Sequence, residues 1–212
     1  IFFEKKFKNL LIFLICILAL FANYIYGSIA INENKKFYET RLKKNDNLVN
    51  FKIISPNFDL KYNLSSNELD DIIKKLVKYS EPDKSQKTIF IWPEGVFSGY
   101  TFSELLTFKK EIEENFSNKH TIILGVNTFN KKENKFFNSM LAINHDSEIL
   151  HQYDKIKLVP FGEFMPFVKI IEKIGLKKIT EGYGSFSKGN SSKNMILENL
   201  NILPLICYEI IF

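Results

Sequence analysis

Residues 88–94 read Thr-Ile-Phe-Ile-Trp-Pro-Glu, and this stretch sets the fold class. A short apolar run, rich in β-branched and aromatic residues and stopped by a proline, is the pattern of a strand covered on both faces. Such a strand needs helices or a second sheet packed on it, so helical patterns are expected on either side. Upstream, Ser65 and Glu68 have capping-box spacing, and Leu69, Ile72, Ile73, Leu76 and Val77 follow at helical intervals. Downstream, Thr101 and Glu104 start a second helix with Leu105, Phe108, Ile112 and Phe116 inward. Residues 51–54 and 121–126 read as further strands. Residues 139–143 and 148–153 flank the turn Asn144-His145-Asp146-Ser147 as a hairpin. A helix is expected over 166–174, ending at Gly175, and a last strand over 202–207. Strands alternating with helices around a hairpin predict a layered α/β (α+β) sandwich.

Composition narrows the function. The 212 residues are 45% hydrophobic and 15% aromatic, enough for a packed core. Twenty-nine Lys and Arg against 24 Asp and Glu give +5, and Arg41 is the single arginine. Sequence-specific nucleic-acid readers depend on arginine forks, so that class is disfavoured. Diffuse lysine suits an anionic membrane surface, or reflects a Lys/Ile/Asn-rich coding bias. Cys16 and Cys207 cannot form a disulfide scaffold, and His120, His145 and His151 lack metal-ligand spacing. No GxSxG nucleophile elbow is present, and the glycine-rich run with Gly182, Gly184 and Gly189 is no phosphate loop. No cofactor or metal is expected.

Residues 10–31, Leu-Leu-Ile-Phe-Leu-Ile-Cys-Ile-Leu-Ala-Leu-Phe-Ala-Asn-Tyr-Ile-Tyr-Gly-Ser-Ile-Ala-Ile, lie in a stretch free of charge between Lys8 and Glu33. About 20 apolar helical residues cross a ~30 Å hydrocarbon layer, so a transmembrane helix is expected. Tyr24 and Tyr26 suit one interface. The run exceeds a signal-peptide core of about 7–15 residues, and no A-x-A site follows. Lysines flank it on both sides, so charge does not set its orientation. The expected division is a membrane helix over 1–32, a linker over 33–48 and a catalytic domain over 49–212. The chain opens at Ile1 and stops inside an apolar stretch at Phe212, so it is expected to be a fragment.

Three residues with chemistry follow predicted strands: Glu94 after 88–92, Lys155 after 148–153, and Cys207 at the end of 202–207. Strand C-termini are where open α/β sheets hold their ligands. A carboxylate, an ammonium and a thiol are the parts needed for acyl transfer through a thioester. The carboxylate takes the thiol proton, the thiolate attacks a carbonyl, and the ammonium stabilises the oxyanion. On spacing alone each residue is equally an inert core thiol, a loop acid or a solvated lysine. Spacing also leaves Lys155 and Lys157 unresolved, because residues two apart in a strand share a face.

Local context separates them. The run Tyr153-Asp154-Lys155-Ile156-Lys157-Leu158-Val159-Pro160-Phe161-Gly162-Glu163-Phe164 closely resembles the YDKxxLVPFGEY stretch of apolipoprotein N-acyltransferases, membrane enzymes of the nitrilase (carbon–nitrogen hydrolase) superfamily. Ile91-Trp92-Pro93-Glu94 resembles their IWPE element, and Leu205-Ile206-Cys207-Tyr208-Glu209 their LICYE element. Ser55-Pro56-Asn57 and Phe137-Asn138-Ser139 are weaker echoes. The resemblance covers residues 50–212 in the family's order. It implies a nitrilase-like α-β-β-α sandwich, truncated, behind an N-terminal transmembrane helix. It implies Glu94 as general base, Lys155 as oxyanion cation and Cys207 as nucleophile. Glu163 becomes a second, positioning glutamate, and Tyr208 and Glu209 lie at positions that matter in the family.

The implied reaction moves an acyl chain from a membrane phospholipid to Cys207. The chain then passes to the N-terminal amine of S-diacylglyceryl-cysteine on an apolipoprotein. The implied site is the periplasmic side of a bacterial inner membrane. Lys61-Tyr62 stands where the family has a Lys-Trp pair at the substrate entrance, so Tyr62 keeps an aromatic face without the indole N–H. Other membrane spans and the rest of the catalytic fold are expected to be missing, leaving the fragment inactive alone. The alternatives are a membrane-tethered nitrilase-type amidase acting on a small amide, and an inactive remnant.

Overall fold

A computed structural model describes residues 2–42, 49–59, 61, 64–164, 185–190 and 194–211. The chain forms two units, residues 1–48 and 49–212. The first is a helix, α1 (Phe2–Leu42). Its Leu10–Lys36 portion, 27 residues, is long and apolar enough to cross a membrane. Leu10, Phe13, Leu18, Leu20 and Phe21 all face outward, so the helix is apolar all round rather than striped.

The second unit is built on a five-stranded sheet in the order β1 (Asn50–Ile53), β2 (Thr88–Ile91), β3 (His120–Asn130), β4 (Lys135–Ile143), β5 (Ile149–Asp154). β1, β2 and β3 run parallel, with Thr88 opposite His120. β4 then pairs antiparallel with both β3 and β5. Two reversals restore the direction, so β5 runs with β2 and the two strands end at the same edge of the sheet.

Side chains alternate across the pleat and face two layers. One face, with Phe90, Trp92, Ile122, Leu124, Leu141 and Ile143, packs under the helices. Helix α2 (Ser66–Ser80) lays Leu69, Ile73, Leu76 and Val77 on it. Burying each such side chain contributes about 1.5–3 kcal/mol. The capping box at its start is present in full: Glu68 N–H donates to Ser65 Oγ, and Ser65 N–H donates to Glu68 Oε2. Trp92 Nε1–H, buried on this face, donates to Ser80 Oγ at 3.0 Å, while the buried Ser147 Oγ has no partner among the described residues. Ser117 N–H donates to His120 Nδ1, which leaves Nε2–H to donate to the Asp83 carbonyl.

The opposite face, with Ile89, Ile123, Ala142 and Tyr153, is covered by Met195, Leu197 and Ile206. Met195 and Leu197 belong to a small antiparallel hairpin of β6 (Met195–Leu197) and β7 (Leu200–Ile202). The result is helices, sheet and second sheet in layers, the nitrilase-like mixed architecture expected.

Four expectations change. The helix from Thr101 is broken into α3 (Phe102–Leu105), a 3-10 turn (Leu106–Phe108) and α4 (Lys109–Asn115). Leu105, Ile112 and Phe116 are still buried, while Phe108 is only partly so. β3 and β4 are longer than predicted and join through a turn containing Asn134 at φ 53°. The β6–β7 hairpin was not anticipated; its turn, Glu198-Asn199, has φ 52° and 65°, the doubly left-handed geometry that two-residue hairpins favour. The predicted strand over 202–207 ends at Ile202, and Cys207 instead opens a 3-10 helix (Cys207–Ile211). Pro204 has no N–H for a ladder, which stops the strand. The helix predicted over 166–174, Tyr62, Gly182 and Gly184 lie outside the described residues.

Candidate active site

Glu94 stands just past the end of β2. Trp92 N–H still donates to the Ile123 carbonyl at 2.9 Å, so the chain leaves the sheet only at Pro93. Gly95 follows at φ 80°, a conformation open mainly to glycine, and bends the chain so that Glu94 faces the sheet edge. The Glu94 carboxyl is at the exposed rim, yet it lines the cavity described below. Loss of hydration there pushes its pKa above the ordinary carboxylate value. The Lys155 ammonium draws it down, and Glu163 pushes it up.

Lys155 stands just past the end of β5. Its side chain is 2% exposed. A buried ammonium is tolerated only when paired and hydrogen-bonded. Glu163 meets that need, with Lys155 Nζ 3.0 Å from its Oε1. The same oxygen accepts Asn138 Nδ2–H at 2.8 Å, and Oε2 accepts Val159 N–H at 2.9 Å. Glu163 N–H donates to the Val159 carbonyl, so the carboxylate sits on a tightly closed turn. Of Lys155 and Lys157, it is Lys155 that lines the cavity described below. β5 stops at Asp154 and the chain bends, so Lys155 turns inward while Lys157 is exposed.

Cys207 is exposed, with φ 55°. A non-glycine residue held there stores on the order of 1–3 kcal/mol of strain, which the surroundings must over-determine. The device that holds it is Glu209, whose carboxylate is nearly buried. Oε2 accepts Ile206 N–H at 2.9 Å, immediately before the thiol. Oε1 accepts the N–H groups of Ile156 and Lys157 at 2.8 and 2.9 Å, immediately after Lys155. Tyr153 Oη–H reaches both oxygens at 3.0 Å. Burial alone raises the Glu209 pKa, but these donors outweigh it and hold the carboxyl below its ordinary value. Tyr153, buried and facing that carboxylate, is pushed up to about 12. One side chain therefore ties the thiol's turn to the lysine's loop.

Glu94, Lys155, Cys207, Glu163 and Tyr208 all line one cavity of about 780 Å³. Its walls are mostly apolar, including Met140, Val159, Phe186 and Leu205, and Tyr208 at its mouth is 60% exposed. Glu209 is not a wall; it lies behind the site as an anchor. Asn138, known from sequence only as part of a weak echo, holds Glu163 and the backbone of Lys155 together, because its carbonyl accepts Lys155 N–H at 2.9 Å. Phe186 carried no sequence signal. A third group, Ser139, is fully buried and donates to Asp154 Oδ1 at 2.6 Å, bracing the residue before Lys155. A carboxylate, an ammonium and a thiol around an apolar cavity suit covalent acyl chemistry.

Residues 61–212 match the carbon–nitrogen hydrolase family model, and the chain belongs to that family. Within it, the chain is similar to apolipoprotein N-acyltransferases. It is 32% identical to that of Rhodopseudomonas palustris over 203 residues, 89% of this chain and 36% of that protein. It is 31% identical to that of Bradyrhizobium diazoefficiens over 76% of this chain and 32% of that protein. The chain thus spans about a third of the length of these relatives. Among solved structures, the C. elegans NitFhit protein aligns with a TM-score of 0.43 at 14% identity, covering 77% of this chain and 38% of its own.

Proposed function

We propose that the protein carrying this chain is a lipoprotein N-acyltransferase working through a thioester on Cys207. Glu94 takes the Cys207 proton and the thiolate attacks the ester carbonyl of a membrane phospholipid. The Lys155 ammonium stabilises the oxyanion of the tetrahedral intermediate. As the ester C–O bond breaks, Glu94 returns the proton to the departing alkoxide, and a lysophospholipid leaves. The amine of an S-diacylglyceryl-cysteine at a lipoprotein N-terminus then attacks the thioester carbonyl. Glu94 takes the amine proton, the C–S bond breaks, and amide and thiol are formed. A carboxyl held above its usual range gives and takes protons more evenly near neutral pH, as both half-reactions require.

The observation that carries this reading is the buried Lys155, paired to Glu163 and facing the same cavity as Glu94 and Cys207. The length and apolarity of α1 support a membrane context, and on this reading the membrane is the bacterial inner membrane, with the site on its periplasmic side. Residues 1–32 are then an anchor, 33–48 a connection and 49–212 the catalytic domain. Tyr208 and Tyr62 become contacts for the incoming lipid.

The test is mass spectrometry of the full-length protein after incubation with phospholipid vesicles. A hydroxylamine-labile acyl adduct on Cys207, absent in Cys207→Ala, is the expected result. An adduct formed from small amides alone points to an amidase instead. No adduct at all refutes catalysis.

A further inference from the structure

Residues 185–190 form a short run of chain laid against the site. Phe186 N–H donates to the Glu163 carbonyl at 2.8 Å, and Gly189 N–H donates to the Lys155 carbonyl at 2.9 Å. Between them, Ser187 N–H donates to the Phe136 carbonyl on β4 at 2.8 Å. The two residues whose side chains make the buried ion pair are therefore held by their backbone carbonyls to one segment. Lys155 lies one residue beyond the end of β5. Its peptide groups are fixed by the Asn138 carbonyl on one side and Gly189 N–H on the other.

The approach at Gly189 is very close. A Cβ there would meet the Asp154 carbonyl oxygen at 2.1 Å, the carbonyl carbon at 2.8 Å and Asp154 Cβ at 3.0 Å. Those atoms are mainly backbone at the end of a strand and cannot swing aside. Only glycine lets the segment lie deep enough for its N–H to reach Lys155. Relieving the contact moves the segment by roughly 1 Å or more, and a misplacement of about 1 Å at a catalytic group lowers rates by up to ~100-fold.

We propose that residues 185–190 are a positioning strap for Lys155 and Glu163 during acyl transfer, with Gly189 the residue that sets its depth. The proposal rests on the acyltransferase reading above. The strap touches no reacting atom through Gly189; it acts by keeping the ammonium where the oxyanion forms. Its loss is therefore felt in the transition state and lowers kcat more than it raises KM. It also has a pH signature. The Lys155 charge holds the Glu94 pKa down, so an ammonium drawn away lets that pKa rise, and the acidic limb of the rate profile moves to higher pH.

The experiment measures Cys207 thioester formation by the full-length protein on phosphatidylethanolamine vesicles, across pH and lipid concentration. Gly189→Ala is expected to lose about 100-fold in kcat with KM changed less than about threefold, and to shift the acidic limb upward. Lys110→Ala, exposed on α4 and outside the strap, is expected to match the wild type. If Gly189→Ala does not fold, Phe186→Pro against Phe186→Ala carries the test, since only the first removes the N–H given to Glu163. Phe186→Pro is then expected to be the slower enzyme, with the same shift in its acidic limb. The proposal is overturned by a Gly189→Ala enzyme with wild-type kcat and pH limb, or by a loss confined to KM. It is equally overturned if Phe186→Pro and Phe186→Ala behave alike, or if Gly189→Ala and Phe186→Pro both fail to fold while Phe186→Ala folds. A wild-type protein that forms no thioester refutes the acyltransferase reading itself, a separate outcome.

Discussion

Replacing Glu209 with glutamine tests the coupling of nucleophile and lysine directly. The carboxylate accepts from four donors: Tyr153 Oη–H and the N–H groups of Ile156, Lys157 and Ile206. Glutamine is nearly isosteric but keeps only one acceptor oxygen. If that oxygen serves Ile156 and Lys157, the new NH2 group faces Ile206 N–H, donor against donor. One charge-assisted bond is then lost outright, leaving a buried donor unpaired at about 1–3 kcal/mol, and the others fall from ~1.5–3 to ~0.5–1.5 kcal/mol each. The sum is about 4–7 kcal/mol, a large share of a domain stability of ~5–15 kcal/mol. At ~2–4 °C per kcal/mol for a domain of this size, the melting temperature falls by roughly 8–30 °C.

The freed Ile206 N–H also releases the turn that holds Cys207 at φ 55°, so thioester formation falls further than the stability loss explains. The assay pairs thermal unfolding, followed by circular dichroism, with the rate of Cys207 acylation measured well below the melting point. A Glu209→Gln protein within about 1 kcal/mol of wild type and equally fast at acylation would show that the four contacts do not organise the site.

Other perturbations have equally definite outcomes. Glu163→Gln leaves the Lys155 ammonium buried without its counter-charge, so stability falls by about 3–5 kcal/mol, read by chemical denaturation, and acylation is lost. Tyr153 has its folded pKa raised to about 12 from an ordinary 10.0, so its contribution is complete below pH 10 and is lost as pH rises toward 12. The melting temperature is expected to drop over that window, and Tyr153→Phe to remove this part of the drop. Ser65→Ala removes the acceptor for Glu68 N–H at the start of α2 and costs about 1 kcal/mol, with no change in acylation rate per folded molecule.

The layered fold was readable because its signals are local. The run 88–92 stops at Pro93, the box Ser65–Glu68 caps α2, and Leu69, Ile73 and Leu76 fall at helical spacing. Each depends on residues within one or two turns of chain. The failures arose where a tertiary partner or a turn conformation overrode local pattern. The 202–207 run looks like a strand because it is apolar, but Pro204 interrupts it and Glu209 folds the chain into a 3-10 turn. The β6–β7 hairpin was missed because Glu198-Asn199 is a weak turn signal, and its strands are short.

The candidate site divides the same way. Residue types and motif resemblance nominated Glu94, Lys155, Glu163 and Cys207 from the chain alone, because the chemistry needs a base, a cation and a nucleophile, and each sits in a distinctive run. That Lys155 rather than Lys157 turns inward depends on where β5 ends. That Glu209 is an anchor behind the cavity depends on donors 52 to 56 residues away. Asn138 showed only in a weak echo, Gly189 only as one glycine of a loop, and Phe186 not at all, because Phe186 and Gly189 act through backbone N–H groups that every non-proline residue carries, and Asn138 through a partner 25 residues away. Sequence by itself therefore determined the elements and the chemical parts. Tertiary structure alone decided their convergence, because burial, pairing and backbone approach are properties of segments that meet only after the sheet has formed.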